Sequence, residues 1–486
     1  MALSYFVQEG FVEIPHVINK FWTHKFDDDH FLVTTEHGAW VALNKEEFDL
    51  LRTDNITQDL NLFTALEEKG VVLTEKNQDR ITQMYRERFH YLFNGINLHI
   101  VVPTLRCNQS CFYCQANSVS LSKKGFDMDE DTAKAVVDFI FQSPSKSFTI
   151  EFQGGEPLIN FPIIEFIVQY AKEKNESSTC EDGWWKGKKN ITFKIVSNFT
   201  LLDGDKLDFI IENSIELNTS LDGPKKLHDK NRPFTNGSSY NKVIYWIKEI
   251  KNRQYKFFSA ALPTITKYSF PYAKEIVDEY LKHGFSSCWM RPLGIGGRAI
   301  DNWGKIGYTS EEFFDFWKNY LEYVLKINRK GMNFSDKTCV DFLRRIVTLK
   351  PPFNSCLGAP CGACTIQAAY NQFGDVYTCD EARANDVFKL GNVKGGGYKK
   401  IFTSNPALNF IGLTSMTTSF CDVCEWHPYC SPCLVSSYGS QGNLISKVPN
   451  DFLCKIRKKQ TELIFRKMIF SEDKKILFNW ISKSGS

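Results

Sequence analysis

Between about residue 96 and residue 300 the chain alternates regularly between strand-like and helix-like hydrophobic patterns. That alternation restricts the fold more than any other feature. NLHIVVP, SFTIEFQ, ITFKIVSN, IELNTSLDG, FFSAALPTI and SCWMRPLG are apolar, β-branched or aromatic runs. Helical patterns at 129–142, 160–174, 204–213, 239–252 and 272–283 separate them. Repeated βα units imply an α/β fold with a parallel sheet and helices packed outside it. Six strands in roughly 200 residues suit a partial (βα)6 TIM-like barrel, which places chemistry at the C-terminal ends of its strands. Unusual residues fall at those ends: a cysteine loop after the first run, GGEP after the second, Asn198 after the third, Ser220 and Asp222 after the fourth, and Arg291 after the sixth.

The flanks read differently. Residues 1–92 form a small module with two extended runs around His37-Gly38, a helix entered at Asn44 with Glu47 three residues on, and a second helix stopping at Gly70 before VVL. That order is winged-helix-like. The barrel takes 93–304, a helical bridge 305–350, and an irregular Cys-, Gly- and Pro-rich domain 351–486. A segment with so little periodicity needs metal or covalent cross-links to hold its shape.

Composition removes several function classes. Lys+Arg 59 against Asp+Glu 56 leaves +3, which gives no electrostatic reason to expect a nucleic acid or membrane partner. No apolar run reaches the length of a spanning helix, and the N-terminus lacks the basic start and apolar block of a secretory signal. A soluble, cytoplasmic protein is expected. The nine histidines show no HxxxH or HExxH spacing, so a histidine metal site is not expected, and His228 reads as structural.

Fifteen cysteines are the strongest chemical signal. Three sit at Cys107, Cys111 and Cys114, nine lie between Cys356 and Cys454, and Cys180, Cys288 and Cys339 stand alone as expected buried apolar residues. Short-spaced clusters in a reducing compartment read as metal or iron–sulfur sites. In TLRCNQSCFYCQ the C-x3-C-x2-C loop follows the first strand; zinc prefers a fourth protein ligand, and none is nearby. This loop, with Tyr113 before its last cysteine, resembles the radical S-adenosylmethionine (SAM) enzymes. The resemblance covers about 96–300.

The resemblance implies that Cys107, Cys111 and Cys114 hold a [4Fe–4S] cluster whose fourth iron SAM chelates. It assigns Gly154, Gly155, Glu156 and Pro157 to the SAM amino group, and Asn198, Ser220 and Arg232 to its ribose and carboxylate, beside Tyr113. Downstream, Cys421-x2-Cys424-x5-Cys430-x2-Cys433 and then Cys454 resemble the SPASM extension, which carries two auxiliary [4Fe–4S] clusters. Carried over, Cys421, Cys424, Cys430 and Cys454 hold one, and Cys379 and Cys433 with one or two of Cys356, Cys361 and Cys364 hold the other. The x2 spacing at Cys430–Cys433, where x3 is usual, and the surplus cysteine leave that assignment open.

Across the whole chain, LHIVVPTLRCNQSCFYCQ, EFQGGEP and CGACTIQAAYNQFGDVYTCDEAR resemble the radical SAM maturases of His-Xaa-Ser peptide systems. The implied partners are a ribosomally made precursor peptide, held through the N-terminal module, and an electron donor such as flavodoxin or ferredoxin. Asp380 and Glu381, next to a cluster cysteine, are the candidate acid or base. Two alternatives stand beside this reading: oxidation of a protein substrate like that of the anaerobic sulfatase maturases, and a zinc-stabilised, non-catalytic binding scaffold.

Overall fold

The computed structural model describes residues 14–177, 187–348, 350, 356, 358–415, 419–445 and 450–483. In the N-terminal module, strands β1 (Val17–Ile18), β2 (Phe21–Lys25), β3 (His30–Thr35) and β4 (Trp40–Asn44) precede helices α1 (Lys45–Arg52) and α2 (Leu60–Lys69). Strand β5 (Val72–Leu73) and helix α3 (Gln78–Phe89) complete it. β2, β3 and β4 form an antiparallel sheet, and β1 pairs with β5. The chain turns from β4 into α1 because the Asn44 side chain accepts from the Glu47 amide while the Glu47 carboxylate accepts from the Asn44 amide. Leu51, Leu62, Phe63 and Leu66 bury with Val33 and Leu43 in a core separate from that of the rest of the chain.

The barrel follows the sequence pattern closely. Its strands are β6 (Leu98–Thr104), β7 (Ser147–Gly154), β8 (Asn190–Ser197), β9 (Glu216–Ser220) and β10 (Phe258–Leu262). Helices α4 (Glu130–Ile140), α5 (Phe161–Ser177), α6 (Gly204–Glu212), α7 (Lys225–Asn231), α8 (Ser239–Asn252) and α9 (Ala273–Lys282) connect or follow them. The sixth expected strand is reduced to β11 (Ser287–Cys288), which pairs with β12 (Ser335–Asp336) outside the main sheet. Pro292 in SCWMRPLG has no N–H for a ladder, and only a bridge between Thr264 and Arg291 ties the segment to the chain after β10. Helices α10 (Arg298–Ile306), α11 (Ser310–Arg329) and α12 (Lys337–Thr348) form the bridge.

The Cys-rich region is more ordered than its composition suggests. β13 (Gln367–Tyr370) pairs in parallel with β6, and β14 (Asp375–Tyr377) and β15 (Lys389–Asn392) continue antiparallel. The main sheet therefore runs β10-β9-β8-β7-β6-β13-β14-β15. Gly374 turns the β13–β14 hairpin at φ +78°, where a Cβ would lie 2.8 Å from Val393. Near the C-terminus comes a 19-residue helix, α13 (Phe452–Phe470), which buries Ile456, Gln460, Thr461, Ile464, Phe465 and Met468. Its helical spacing of apolar residues is interleaved with lysines and arginines, which masks it in a compositional reading. Cys288 and Cys339 are buried as expected; Cys180 lies outside the described residues.

The module is docked on the Cys-rich region by side chains. Trp22 Nε1 donates to the Asp422 carbonyl at 2.6 Å, Thr34 Oγ1 to the Glu425 carbonyl at 3.0 Å, and Tyr429 Oη to the Gly38 carbonyl at 2.9 Å. His24 lies between Glu425 (3.3 Å) and Glu462 (3.8 Å). Burial alone would push the imidazole down, but the two carboxylates outweigh it and raise it to about 9, while His24 and Arg466 hold Glu462 at about 2. The His24 contribution is complete below its ordinary value of 6.5 and is lost as pH rises towards about 9. The Tm difference between wild type and His24→Gln is therefore expected to be widest near pH 6 and to shrink by pH 9, measured by calorimetry across that range; a gap independent of pH would show that His24 is not charged in the interface.

Candidate active site

The C-terminal ends of β6 to β10 open into one cavity of about 470 Å³. Its wall carries Cys107, Cys111, Tyr113 and Cys114 from the loop after β6, and Gly154, Gly155 and Glu156 from the end of β7. Asn198, Ser220, Arg232, Arg291, Asp380, Glu381 and Cys356 also line it. Residues assigned from separate motifs thus share one chamber. Burial pushes all of Cys107, Cys111, Cys356, Cys361 and Cys379 up from the ordinary thiol range, Cys111 to about 12 and Cys361 to about 11. Such thiols give up their protons when a metal replaces them.

The glycines of GGEP serve the loop beside them. Gly155 N–H donates to the Thr104 carbonyl at 2.9 Å and Glu156 N–H to the Arg106 carbonyl at 2.8 Å. A Cβ on Gly155 would lie 2.2 Å from the Arg106 carbonyl oxygen, and one on Gly154 2.3 Å from that of Thr104. The absence of side chains lets β7 press against the backbone that carries Cys107. Pro157 begins a short 3-10 turn (Pro157–Asn160) that Glu156 caps.

The Glu156 carboxylate is buried and accepts from Ser197 Oγ (2.7 Å), the Leu158 amide (3.1 Å) and the Asn198 amide (2.8 Å). Burial outweighs these donors and raises it to about 7. One acceptor position stays open for a cation. Asn198 also ties the site inward, donating to Asn108 in the cysteine loop at 3.0 Å and accepting from Thr200.

Asp222 is the residue that the sequence reading noticed but did not assign to the site. Fully buried, it accepts from Tyr113 Oη (2.7 Å), Arg232 Nη2 (3.1 Å) and the Thr264 amide (3.1 Å). The Arg232 guanidinium lies 5.2 Å from the Tyr113 ring. Burial works against the Arg232 charge, but Asp222 and Tyr113 raise it further above its ordinary value. A buried Asp following a barrel strand in SLDG was the available signal. His228 is buried and its Nδ1 accepts from the Asp222 amide at 3.3 Å, a neutral structural role.

Across the chamber, Arg383 Nε donates to Asp380 at 2.7 Å, with Gln115 at 3.4 Å, while Arg291 donates to Glu381 at 2.7 Å. Burial pushes Glu381 up, against the pull of Arg291. The remaining cysteines fall into two groups. Cys356, Cys361 and Cys433 all act electrostatically on Cys379. Cys421, Cys424, Cys430 and Cys454 line a second cavity, of about 100 Å³, with Arg457 and Lys458, and Cys433 reaches it as well. Cys364 stands aside: it is buried at φ +64°, its N–H is shared between the Gln367 and Thr378 carbonyls, and its thiol feels only Cys361 among the cysteines. Among the described residues no three His, Cys, Asp or Glu side chains converge on a single-ion site.

Residues 101–306 match the radical SAM superfamily. The chain carries a radical SAM domain and is an enzyme. The binding-scaffold alternative falls with that finding. The chain is 25% identical over 341 residues to a cysteine-type anaerobic sulfatase-maturating enzyme of Clostridium novyi, covering 69% of this chain and 87% of that one. It is 26% identical over 279 residues to the radical SAM cyclopropyl synthase TigE of Paramaledivibacter caminithermalis, covering 49% and 55%. In fold it is similar to anSMEcpe with bound AdoMet (TM-score 0.66, 21% identity, 79% of this chain and 98% of that). It is also similar to Streptococcus suis SuiB bound to precursor peptide SuiA (TM-score 0.53, 14% identity, 89% and 98%). No described helix is long and apolar enough to cross a membrane.

The contacts at Gly155 set a direct check. Gly155→Ala forces a side chain onto backbone and is expected to cost about 2 kcal/mol or more. Gly204→Ala, where a Cβ meets nothing within 4 Å, is expected to be neutral or slightly stabilising. Chemical denaturation of both variants decides it; equal stability would contradict the packing described.

Proposed function

We propose that this enzyme modifies a ribosomally made peptide at an unactivated carbon, starting from hydrogen abstraction. The observation that carries the reading is the single chamber joining the three-cysteine loop, the GGEP turn and the Asp380–Glu381 pair. Cys107, Cys111 and Cys114 would hold a [4Fe–4S] cluster with one iron free, and the buried, mutually acting thiols suit that donor set. Gly154, Gly155 and the open position on Glu156 would take the SAM amino group, with Asn198, Ser220 and Arg232 around its ribose and carboxylate. When bound, the reduced cluster and SAM supply a 5′-deoxyadenosyl radical. The chain's own task is then to orient the substrate carbon, exclude water and move one proton. Asp380, held by Arg383, faces the chamber and would accept that proton; Glu381 is tied to Arg291 and would position the substrate.

Two auxiliary clusters complete the reading, one on Cys356, Cys361, Cys379 and Cys433, the other on Cys421, Cys424, Cys430 and Cys454. The grouping of the thiols favours Cys361 over Cys364. The peptide-bound SuiB fold supports a peptide partner, with the N-terminal module as the place where a precursor would be held and a flavodoxin or ferredoxin as electron source. Protein oxidation of the sulfatase-maturase kind stays as a second reading, favoured by the extent of the likeness to the Clostridium novyi enzyme.

Anaerobic reconstitution tests the whole. Roughly twelve irons per chain are expected, with 5′-deoxyadenosine formed on adding reductant and SAM; no iron and no deoxyadenosine would sink the reading. Cys361→Ala is expected to lose about four irons and Cys364→Ala none; the reverse order would reassign the ligand. With an encoded peptide partner, Asp380→Asn is expected to retain deoxyadenosine formation while product falls about 100-fold or more. Full product yield would remove Asp380 from the chemistry. Modification of a sulfatase peptide instead of the encoded peptide would select the second reading.

A further inference from the structure

Three arginines converge on the backbone around Cys430. Arg88 from α3 donates to the Pro428 carbonyl, Arg345 from α12 to the Tyr429 carbonyl, and Arg457 from α13 to the Ser431 carbonyl at 2.7 Å. The second Arg457 nitrogen reaches the Cys356 carbonyl at 3.0 Å, so one guanidinium braces both cysteine groups. Arg88 is 4% exposed and Arg345 3%. Arg457 is partly buried and lines the cavities beside both groups.

These cations have no matching carboxylates. Among the described residues none of the three makes an ion pair; Glu36, Asp341 and Asp451 act on them only beyond salt-bridge distance. Arg88 Nε and Arg345 Nη2 have no hydrogen-bond partner either. Burying unpaired guanidiniums is strongly unfavourable unless an anion completes the site. The groups placed to supply one are cysteines, which ionise on binding a metal: Cys430 acts on both Arg345 and Arg457, and Cys433 and Cys356 act on Arg457. Lys458, on the same helix, adds a fourth cation that acts on Cys424 and Cys454.

We propose that Arg345 and Arg457, with Arg88 on the Pro428 carbonyl beside them, are the buried counter-charge of the four-cysteine centre at Cys430 and hold its reduction potential above the value its ligands alone would give. Positive charge beside the site favours the more negative, reduced form, because low polarity and immobility keep the attraction from being screened. The inference rests on the auxiliary-cluster reading above and concerns positioning and electrostatics, not a catalytic role. Through its bond to the Cys356 carbonyl, Arg457 extends a weaker effect to the centre that includes Cys356.

Potentiometric titration of the reconstituted full chain, followed by electron paramagnetic resonance, tests it. Arg345→Gln and Arg457→Gln are each expected to move the midpoint of the Cys430 centre to more negative potential. Arg345→Lys and Arg457→Lys should stay near wild type, and the centre at Cys107, Cys111 and Cys114 should not move. Gln variants that keep their full iron and the wild-type midpoint would overturn the proposal. Should the Gln variants fail to fold, Lys458→Gln carries the test: a smaller shift of the same sign, confined to the Cys430 centre, supports it, and no shift overturns it. Wild-type protein binding about four irons rather than about twelve would instead remove the auxiliary-cluster reading itself.

Discussion

Strand β6 is hydrogen-bonded on both sides, to β7 within the barrel and to β13 from the Cys-rich region, and the geometry of the site follows from that position. Because all three strands run parallel, their C-terminal ends reach the same rim. β6 delivers Cys107 and β7 delivers GGEP to that rim, whereas β14, antiparallel to β13, carries the chain from the Gly374 turn back to the opposite end of β13, from which Asp380 lines the same chamber. The join is reinforced in the core, where His99 Nδ1 and Tyr370 Oη lie 2.9 Å apart and burial holds the imidazole neutral at about 3. The Cys-rich region is therefore part of the barrel's sheet.

The rim is also where the fold accepts buried charge. Asp222 and Arg232 neutralise each other with Tyr113 as a third partner, and Asp380 and Glu381 each take one arginine. Glu156 is different: it has hydrogen-bond donors but, among the described residues, no ion pair, and burial lifts it to about 7. A carboxylate held this way gains most from a cationic ligand, since the ligand's charge replaces a missing partner rather than competing with an existing one.

Much of this was legible in the sequence. Helix boundaries in the barrel agree within a few residues because amphipathic periodicity, capping residues such as Asp129 before α4, and turn residues all act locally. The cysteine spacing marked the loop of Cys107, Cys111 and Cys114, which the structure places on the chamber wall. What was not legible is non-local. Nothing in QAAY marks it as the neighbour of β6. SCWMRPLG has strand-like composition but contains a proline where a ladder bond is needed. The packing at the GGEP glycines is non-local too: they admit the Thr104–Arg106 backbone, a contact that no local pattern encodes.

The N-terminal module's attachment changes how its role can be probed. The face formed by β2 and β3 contacts the 422–429 segment through Trp22, His24 and Thr34, and α3 supplies Arg88 to the Pro428 carbonyl. Removing residues 1–90 would strip these partners from the segment that carries Cys424 and ends at Cys430, and would expose Trp426 and Tyr429, both buried at the junction. Loss of peptide affinity in such a truncation would then be indistinguishable from collapse of the cysteine segment. The β4 edge is the better place to perturb. It lies across β3 from β2, and apart from Trp40, which reaches the Ile346 carbonyl, Leu43, which is buried in the module's core, and Asn44, which caps α1, its residues make none of the contacts described to 422–429. A peptide added as a strand along β4 would leave the β2 contacts in place, so the proposed peptide capture could be tested apart from support of the cysteine segment.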